Sequence, residues 1–311
     1  MDSRDEQSLR AAKMYYRDNL SQAEVALALG ISRPTTSKLI QHAHDRGFVT
    51  ITIRDPREAS STTATALATK YGLTSVRLAQ PVSQTTDDIV DALGHVGAQA
   101  LRSLVVDGSS VGVSWGRTMY SIAQHLTEKN VHDVTIVQLK GGMSYTDRKT
   151  NDIETITLFC KAFHAYARTL PLPVIFDNAE TKELVEKDRF IANVLEQGRK
   201  TDIAVFTVGS AGENSLALNL GSVTPAERTQ LRQRAVGDIC SRFFDANASV
   251  AVQSVDERTV GITMEDLAQR PVRLLVAGGL HKVRALKVAL KAGMATHLVT
   301  DQACAERLLE E

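Results

Sequence analysis

The sequence has few cysteines and no pattern of side chains that would hold a metal ion. Its three cysteines, Cys160, Cys240 and Cys304, form no Cys-x-x-Cys pair and are odd in number, which favours buried thiols in a reducing compartment over a disulfide framework. The eight histidines include neither a His-Glu-x-x-His motif nor a pair spaced four residues apart. The sequence therefore predicts no metal site, and nothing in it calls for a cofactor.

Long apolar runs and an excess of one charge are also missing. No apolar run approaches the roughly 20 residues of a membrane-spanning helix, and the polar start of the chain is unlike a signal peptide, so we expect a cytoplasmic protein. Lys plus Arg equals Asp plus Glu at 36 each; any contact with DNA must therefore be local. With 311 residues, the chain can form one small domain and one larger domain with a substantial core.

The segment from Leu20 to Gln41 has the features of a helix-turn-helix. Ser21 and Glu24 have the spacing of a capping box at the start of a first helix, and Gly30 permits a tight turn after it. Ser32 can then cap a second helix. Two short capped helices joined by a glycine turn are the commonest arrangement for reading DNA, and an ordinary helical hairpin with a basic face is the alternative.

The second helix, expected over 32–46, carries side chains that suit the major groove. Arg, Lys and Gln can pair with base edges, and Thr can offer its methyl group to thymine or its hydroxyl to phosphate. Apolar residues alternate with threonine over 47–53, which predicts the wing strand of a winged helix. The residues expected to contact DNA are Ser32, Arg33, Thr35, Thr36, Ser37, Lys38 and Gln41.

Beyond this module the chain alternates apolar runs with amphipathic segments, which predicts an α/β fold with a doubly wound parallel sheet. We expect a winged helix-turn-helix domain over 1–54, a polar linker over 55–63, and an effector-binding and oligomerisation domain over 64–311 that opens with a joining helix over 64–71. The expected strands are 75–79, 110–115, 134–139, 174–176, 203–208, 274–277 and 298–300. The expected longer helices are 89–105, 119–129, 153–168, 226–239 and 283–292.

The loop after the second of these strands has the features of an anion-binding turn. Parallel sheets bind ligands outside the carboxyl ends of their strands, and here a glycine turn leads into a helix at about Arg117. Backbone N–H groups at that helix start, together with Ser114, Arg117 and Thr118, can cradle a phosphate. A plain strand-to-helix turn with a solvated arginine fits the local sequence equally well.

Two lysines follow other strand ends. Lys140 stands at the end of an apolar strand, before Gly141 and Gly142; a desolvated lysine there can form a Schiff base with an aldehyde, or it can simply pair with phosphate or solvent. Lys282 lies near the start of a helix that follows a pair of glycines. A cation there opposes the helix dipole, so either a bound anion or surface exposure would explain it. Asp238 can accept hydrogen bonds from sugar hydroxyls, although exposed acids are usually just solvated.

The order of these features resembles that of SorC-type transcriptional regulators. The resemblance covers almost the whole chain, and several segments of the larger domain carry it. They are Gly-Val-Ser-Trp-Gly-Arg-Thr at 112–118, Val-Gly-Asp-Ile at 236–239, Arg-Phe-Phe-Asp at 242–245, Asp-Glu-Arg-Thr-Val-Gly-Ile at 256–262, Val-Ala-Gly-Gly-Leu-His-Lys at 276–282 and Leu-Val-Thr-Asp at 298–301. The resemblance implies a bacterial repressor or activator whose sensor domain is related to sugar-phosphate isomerases.

The resemblance also implies roles for particular residues. The phosphate of the sugar would bind at Gly116, Arg117 and Thr118 with Lys282, and the sugar itself would contact Lys140, Asp238 and Asp152. The Lys-Gly-Gly segment at 140–142 resembles that of the deoxyribonucleoside regulators, whose lysine forms a reversible imine with deoxyribose 5-phosphate. Arg117 beside Thr118 and the polar segment 145–150 depart from the commoner patterns of the family.

We therefore expect a DNA-binding regulator without catalytic turnover that senses a phosphorylated sugar and controls nucleoside or carbohydrate catabolism. Two recognition helices must reach successive half-sites of double-stranded operator DNA, so a homo-oligomer, either a dimer or a tetramer, is implied. One alternative is a sugar-phosphate aldolase or isomerase that uses Lys140. Another is a regulator that binds a different sugar phosphate without a covalent bond.

Overall fold

A computed structural model describes residues 3–49, 56–147, 149–212, 215–220 and 223–310, of which 56–60 are described by their backbone alone. The chain divides into two compact units, residues 1–56 and 57–311. Across these described residues, no helix has the length and the apolar character needed to cross a bilayer.

The small unit contains three α-helices, and its core is formed where they meet. They are α1 (Ser3–Ala12), which runs on into a π-helical turn, α2 (Gln22–Leu29) and α3 (Arg33–Asp45). Ser21 and Glu24 form the predicted capping box, with the Ser21 N–H donating to Glu24 Oε2 at 2.8 Å. Gly30 ends α2 in the left-handed conformation, at φ 64°. The core cluster contains Ala11, Val25, Leu39 and Ile40.

Three expectations about the small unit and its boundary need comment. Thr36 is completely buried, and its hydroxyl donates to the Ser32 carbonyl at 3.3 Å; it belongs to the stripe of α3 that contains Ile40 and Ala43, so the prediction that it faces DNA is wrong. The predicted wing over 47–53 lies largely outside the described residues, and 46–48 form a turn. The linker expected over 55–63 is also wrong from Pro56 onward, because α4 (Pro56–Tyr71) starts there. Proline is tolerated in the first turn of a helix, where no N–H is needed.

The larger unit is built on a seven-stranded sheet in which every neighbouring pair of strands is parallel. The strand order is β1-β10-β9-β5-β2-β3-β4, so the chain winds outward in opposite directions from the boundary between β2 and β5. The strands are β1 (Ser75–Ala79), β2 (Ser110–Val113), β3 (Thr135–Gln138), β4 (Tyr166–Arg168), β5 (Ile203–Phe206), β9 (Val272–Val276) and β10 (His297–Asp301).

Helices cover both faces of this sheet because successive side chains of each strand point to opposite faces. In β5, Ile203 and Val205 pack in the core beneath α5, α6 and α7, whereas Ala204 and Phe206 pack in the core beneath α4, α13 and α14. The helices of this unit after α4 are α5 (Thr86–Leu104), α6 (Arg117–His125), α7 (Asp152–Phe163), α8 (Ala179–Glu186), α9 (Arg189–Arg199), α10 (Pro225–Arg234), α11 (Gln253–Asp256), α12 (Met264–Ala268), α13 (Val283–Lys291) and α14 (Gln302–Leu309).

A second, antiparallel sheet follows β5 and was not expected from the sequence. It consists of β6 (Val208–Ser210), β7 (Gly237–Ile239) and β8 (Arg242–Phe244). Three predicted helices are too long. Helix 226–239 ends at Arg234 and its tail forms β7, and 153–168 ends at Phe163 and its tail forms β4 of the parallel sheet. Helix 119–129 ends at His125. The strand expected at 174–176 is only an isolated bridge between Ile175 and Thr259. The doubly wound parallel sheet itself is as predicted.

Candidate ligand-binding site

The larger unit contains a cavity with a volume of about 380 Å³, which is within the range of small-molecule sites. Its wall includes the segment 114–118 after β2 and Thr207 after β5. These two strands flank the point where the strand order reverses, and parallel sheets bind their ligands in the crevice at that point. The fold thus positions a cavity where the sequence analysis expected chemistry.

One wall of this cavity suits an anion. Gly116 precedes α6 with φ 130°, a conformation that favours glycine, and the first N–H groups of α6 follow it. Thr118 and Ser114 are both buried in this wall, and the Ser114 hydroxyl has no hydrogen-bond partner among the residues that the structure describes. A buried polar group without a partner is costly, so a ligand oxygen at Ser114 would be stabilised. Arg117 also lines the cavity, but its guanidinium is solvent-exposed and paired with Asp87.

Lys140 also lines the cavity, and its amine is buried beside Trp115 and Ser241. Its side chain is only 5% exposed, and its Nζ lies 3.7 Å from the ring centroid of Trp115. Nζ donates a hydrogen bond to Ser241 Oγ at 3.0 Å. The Trp115 ring is itself held in place, because its Nε1–H donates to the Gly141 carbonyl at 2.7 Å. The amine therefore has a fixed position at the edge of the cavity.

Burial decides the electrostatics of this lysine. Desolvation lowers the pKa of Lys140, and the negative charges of Asp238 and Asp152 only partly oppose that shift. Burial also raises the pKa of Asp238, although Lys140, the Ser241 N–H and Lys282 all favour its charged form. A lowered lysine pKa increases the fraction of neutral amine, the form that can attack a carbonyl carbon.

A second lysine, Lys282, lines the cavity from the helical turn that follows β9. Desolvation lowers the pKa of Lys282, whose charge is stabilised chiefly by Asp238. The loop before it is held by Asp301, whose Oδ2 accepts the Gly279 N–H at 2.6 Å while its Oδ1 accepts the Cys304 N–H at the start of α14. These hydrogen bonds hold the turn that carries Lys282, whose ammonium group could pair with an anionic ligand in the cavity.

Two glycines leave room for the acidic side chains of the site. A Cβ at Gly209 would lie 1.9 Å from Asp238 Oδ1, and a Cβ at Gly142 would lie 1.7 Å from Asp152 Oδ2. Such distances are impossible for real atoms, so a side chain at either position would displace a carboxylate. Gly142 thus matters through the space it leaves for Asp152, which acts electrostatically on Lys140.

The structure brings most of the predicted effector residues together. Three of them, Gly141, Gly142 and Asp152, are absent from the described cavity wall and lie next to Lys140 and its loop. The sequence analysis did not assign Trp115, Cys240 or Ser241 to the site. Of these, Trp115 could have been found, because it is the single tryptophan of the chain. Those that line the cavity are Ser114, Gly116, Arg117, Thr118, Lys140, Asp238 and Lys282.

The second candidate surface lies on α3 of the small unit. Ser32 caps this helix, with its Oγ accepting the Thr35 N–H at 3.3 Å. Gln41 is exposed but donates to Asp45 at 2.8 Å. The predicted DNA-contacting residues that are exposed are Ser32, Arg33, Thr35, Ser37, Lys38 and Gln41. A short helix with this exposed polar and basic face can enter a major groove.

A helix-turn-helix unit followed by a doubly wound domain with a polar cavity defines a ligand-responsive transcriptional regulator as the class of protein. The comparisons with known proteins agree. Residues 55–310 match the family described as "Putative sugar-binding domain". The chain belongs to this family of sugar-binding domains, found in SorC-type transcriptional regulators.

Its relatives match it over nearly their whole length. The chain is 42% identical over 304 residues to the deoxyribonucleoside regulator of Bacillus subtilis strain 168, covering 98% of this chain and 97% of that protein. It is 28% identical over 305 residues to the sorbitol operon regulator of Klebsiella pneumoniae, covering 97% of each. The crystal structure of full-length SorC from Klebsiella pneumoniae superposes with a TM-score of 0.73 at 25% identity and covers all of both chains.

These relatives are transcriptional regulators and not enzymes. The chain is accordingly a transcriptional regulator with a sugar-binding domain, and the aldolase or isomerase alternative has no support among these relatives. Over the part of the chain that the structure describes, no group of three or more His, Cys, Asp or Glu side chains is arranged to hold a metal ion.

Proposed function

We propose that this regulator senses deoxyribose 5-phosphate through a reversible imine at Lys140 and thereby controls genes of nucleoside or carbohydrate catabolism. The observation that carries the proposal is the position of the Lys140 amine: buried, over the Trp115 ring, and at the edge of the cavity. The relative with 42% identity is named a deoxyribonucleoside regulator, which supports deoxyribose 5-phosphate as the sugar.

The two sides of the cavity match the two ends of this ligand. The open-chain form of the sugar carries an aldehyde at one end and a phosphate at the other. The phosphate would bind at the α6 N-terminus, where Gly116 and Thr118 offer backbone N–H groups and Lys282 offers a positive charge. The aldehyde would then face Lys140. The neutral amine adds to the aldehyde carbon, and both amine hydrogens leave with the carbonyl oxygen as one water molecule.

Effector binding can regulate DNA binding only if the two functional states bind the effector unequally. We propose that the protein acts as a homo-oligomer, because two α3 helices must reach half-sites about 34 Å apart, or a multiple of that distance, on a palindromic operator. Exposed Arg33 and Lys38 would contact the DNA. The imine at Lys140 would shift the population between a DNA-competent and an incompetent state.

Intact-mass spectrometry after borohydride reduction with deoxyribose 5-phosphate tests the imine. We expect a mass increase equal to one effector molecule less one oxygen atom. Lys140→Ala should give no adduct, and Lys140→Arg should give none either, because a guanidinium stays protonated and is not a nucleophile. Ribose 5-phosphate serves as the comparison sugar.

The arginine variant also separates the two modes of sensing. If Lys140 acts only as a positive charge, deoxyribose 5-phosphate should still raise the Tm of the Lys140→Arg variant. The variant should then also still release operator DNA when the effector is added. If the unsubstituted protein gives no adduct but is stabilised by another sugar phosphate, the imine is refuted and non-covalent sensing takes its place.

A further inference from the structure

The turn that faces Lys140 has an unusual backbone. Ile239 of β7 pairs with Arg242 of β8, so Cys240 and Ser241 form a two-residue hairpin loop. Both have positive φ, 51° at Cys240 and 66° at Ser241. A two-residue loop with positive φ at both positions is normally built from Asn and Gly. Turn formation alone therefore does not explain a cysteine and a serine at these positions. Strain of this kind persists where the surrounding structure holds it and often marks a functional site.

The surroundings do hold this turn firmly. The Ser241 N–H donates to Asp238 Oδ2 at 3.1 Å. On its other side, the buried guanidinium of Arg242 forms a salt bridge with Asp256 at 3.0 Å. The same guanidinium donates to the backbone carbonyls of Asp256, Thr259, Gly261 and Ile262. The segment of Gly261 bridges directly to Lys140, so one network fixes both the turn and the backbone of the lysine.

The result is that Ser241 Oγ meets Lys140 Nζ at 3.0 Å. Ser241 is completely buried and does not line the described cavity, whereas Lys140 does. The hydroxyl therefore contacts the amine without lining the space where a ligand would bind. Its role is one of positioning, since it would not touch the effector.

A neutral amine has two N–H bonds and one lone pair, and two neighbours of Nζ can take up the two N–H bonds. One N–H donates to Ser241 Oγ, and the Trp115 ring, 3.7 Å from Nζ, offers its negative face to the other. The lone pair is left for the third direction, toward the cavity. An aldehyde carbon arriving there meets the nucleophile in the orientation needed for attack.

We propose that Ser241 is a positioning residue for imine formation at Lys140: the strained hairpin turn places its hydroxyl beside the amine and aims the lone pair into the cavity. This inference rests on the proposed imine. In the step concerned, the nitrogen lone pair forms the new C–N bond, the carbonyl π electrons move to oxygen, and the oxygen then leaves as water with the two amine hydrogens. Ser241 donates and receives no atom in the net reaction.

The test is the rate of the borohydride-trapped adduct at a series of deoxyribose 5-phosphate concentrations, with Ser241→Gly as the main variant. Glycine removes the hydroxyl but adopts positive φ without strain, so the variant should fold at least as well as the unsubstituted protein. We expect the maximal rate to fall by about tenfold, the effect of one lost hydrogen bond of about 1.4 kcal/mol, and the half-saturating concentration to stay unchanged. Ser241→Ala should slow the reaction equally.

Ala248→Gly is the matched control. Ala248 also has positive φ, 62°, in the turn that follows β8, so this variant relieves comparable strain away from Lys140 and should react at the unsubstituted rate. A maximal rate of Ser241→Gly equal to that of the unsubstituted protein would overturn the inference and leave the imine intact. Failure of the unsubstituted protein to form any adduct overturns the proposed function, and this inference with it.

Discussion

Gly209→Ala gives the sharpest test of how the cavity is packed. The residue pairs across the strands with Asp238, and a Cβ at Gly209 would lie 1.9 Å from Asp238 Oδ1. The carboxylate, which is buried, must therefore move, and its hydrogen bond from the Ser241 N–H is then lost or stretched. Overpacking costs about 1–3 kcal/mol, and a hydrogen bond to a charged group contributes about 1.5–3 kcal/mol.

We expect Gly209→Ala to lower the free energy of unfolding by about 2.5–6 kcal/mol, the combined range of these two effects. In a domain of this size each 1 kcal/mol lowers Tm by about 2–4 °C, so the loss is easily measured by thermal denaturation. The variant should also lose most of the adduct at Lys140, because the carboxylate beside the amine is displaced. Gly198→Ala on α9 is the control: its Cβ would lie 3.7 Å from the nearest side chain, an ordinary contact.

A double-mutant cycle identifies the cause. If the methyl group at 209 collides with the carboxylate, the same substitution in an Asp238→Ala background should cost much less, with a coupling energy of about 1–3 kcal/mol. Additive losses would refute the reasoning, since they would mean that Gly209→Ala acts through something other than Asp238. Gly198→Ala should be neutral or slightly stabilising in both backgrounds, because alanine favours a helix.

Three further predictions follow from burial and exposure. Lys140→Met should raise Tm at neutral pH, because burial lowers the pKa of this lysine in the folded state and protonation therefore favours the unfolded chain. The gain should shrink as the pH approaches about 10.4, the ordinary lysine pKa, where the unfolded chain also loses the proton. Lys38→Ala should weaken operator binding and reduce the salt slope by about 1, measured by fluorescence anisotropy, whereas buried Thr36→Val should leave that slope unchanged. Gly94→Ala would bring a Cβ within 2.0 Å of Ser121 Oγ and should cost about 1–3 kcal/mol in urea denaturation.

Local rules predicted the helix-turn-helix well because its ends are marked by short-range chemistry. The capping box of Ser21 with Glu24 and the left-handed Gly30 involve residues a few positions apart, and such spacings are visible in a sequence. Six of the seven strands of the parallel sheet were likewise visible as short apolar runs, whereas the exposed strand β4 was assigned to a helix. The expected strand 75–79 is β1 with the same bounds.

The antiparallel sheet escaped prediction because its strands are only three residues long. Gly237–Ile239 follows α10 after two residues, so the apolar spacing of the helix seemed to continue. Its strand partners lie at 208–210 and 242–244, and its turn contains neither asparagine nor glycine, the residues by which a two-residue hairpin is recognised. Tertiary contacts override local patterns here.

The contacts of Lys140 show the same limit within the candidate site. Its position at a strand end was visible in the sequence, but Trp115 lies 25 residues before it and Ser241 lies 101 residues after it. Such contacts depend on the strand order. They could be found only once β2 and β5 were known to be neighbours at the switch point and β7 and β8 were known to form the hairpin that carries Ser241.

Several departures from ordinary folding rules lie at the cavity or directly beside it, and that is an argument for function. A buried lysine with a lowered pKa, a buried serine hydroxyl without a partner at Ser114, and two non-glycine residues with positive φ each cost stability, the last about 1–3 kcal/mol each. Stability alone would favour methionine at 140 and glycine at 241. The chain has lysine and serine at these positions instead, which is understood if these side chains serve a ligand. Structure is therefore hardest to predict from sequence at the residues that carry the chemistry.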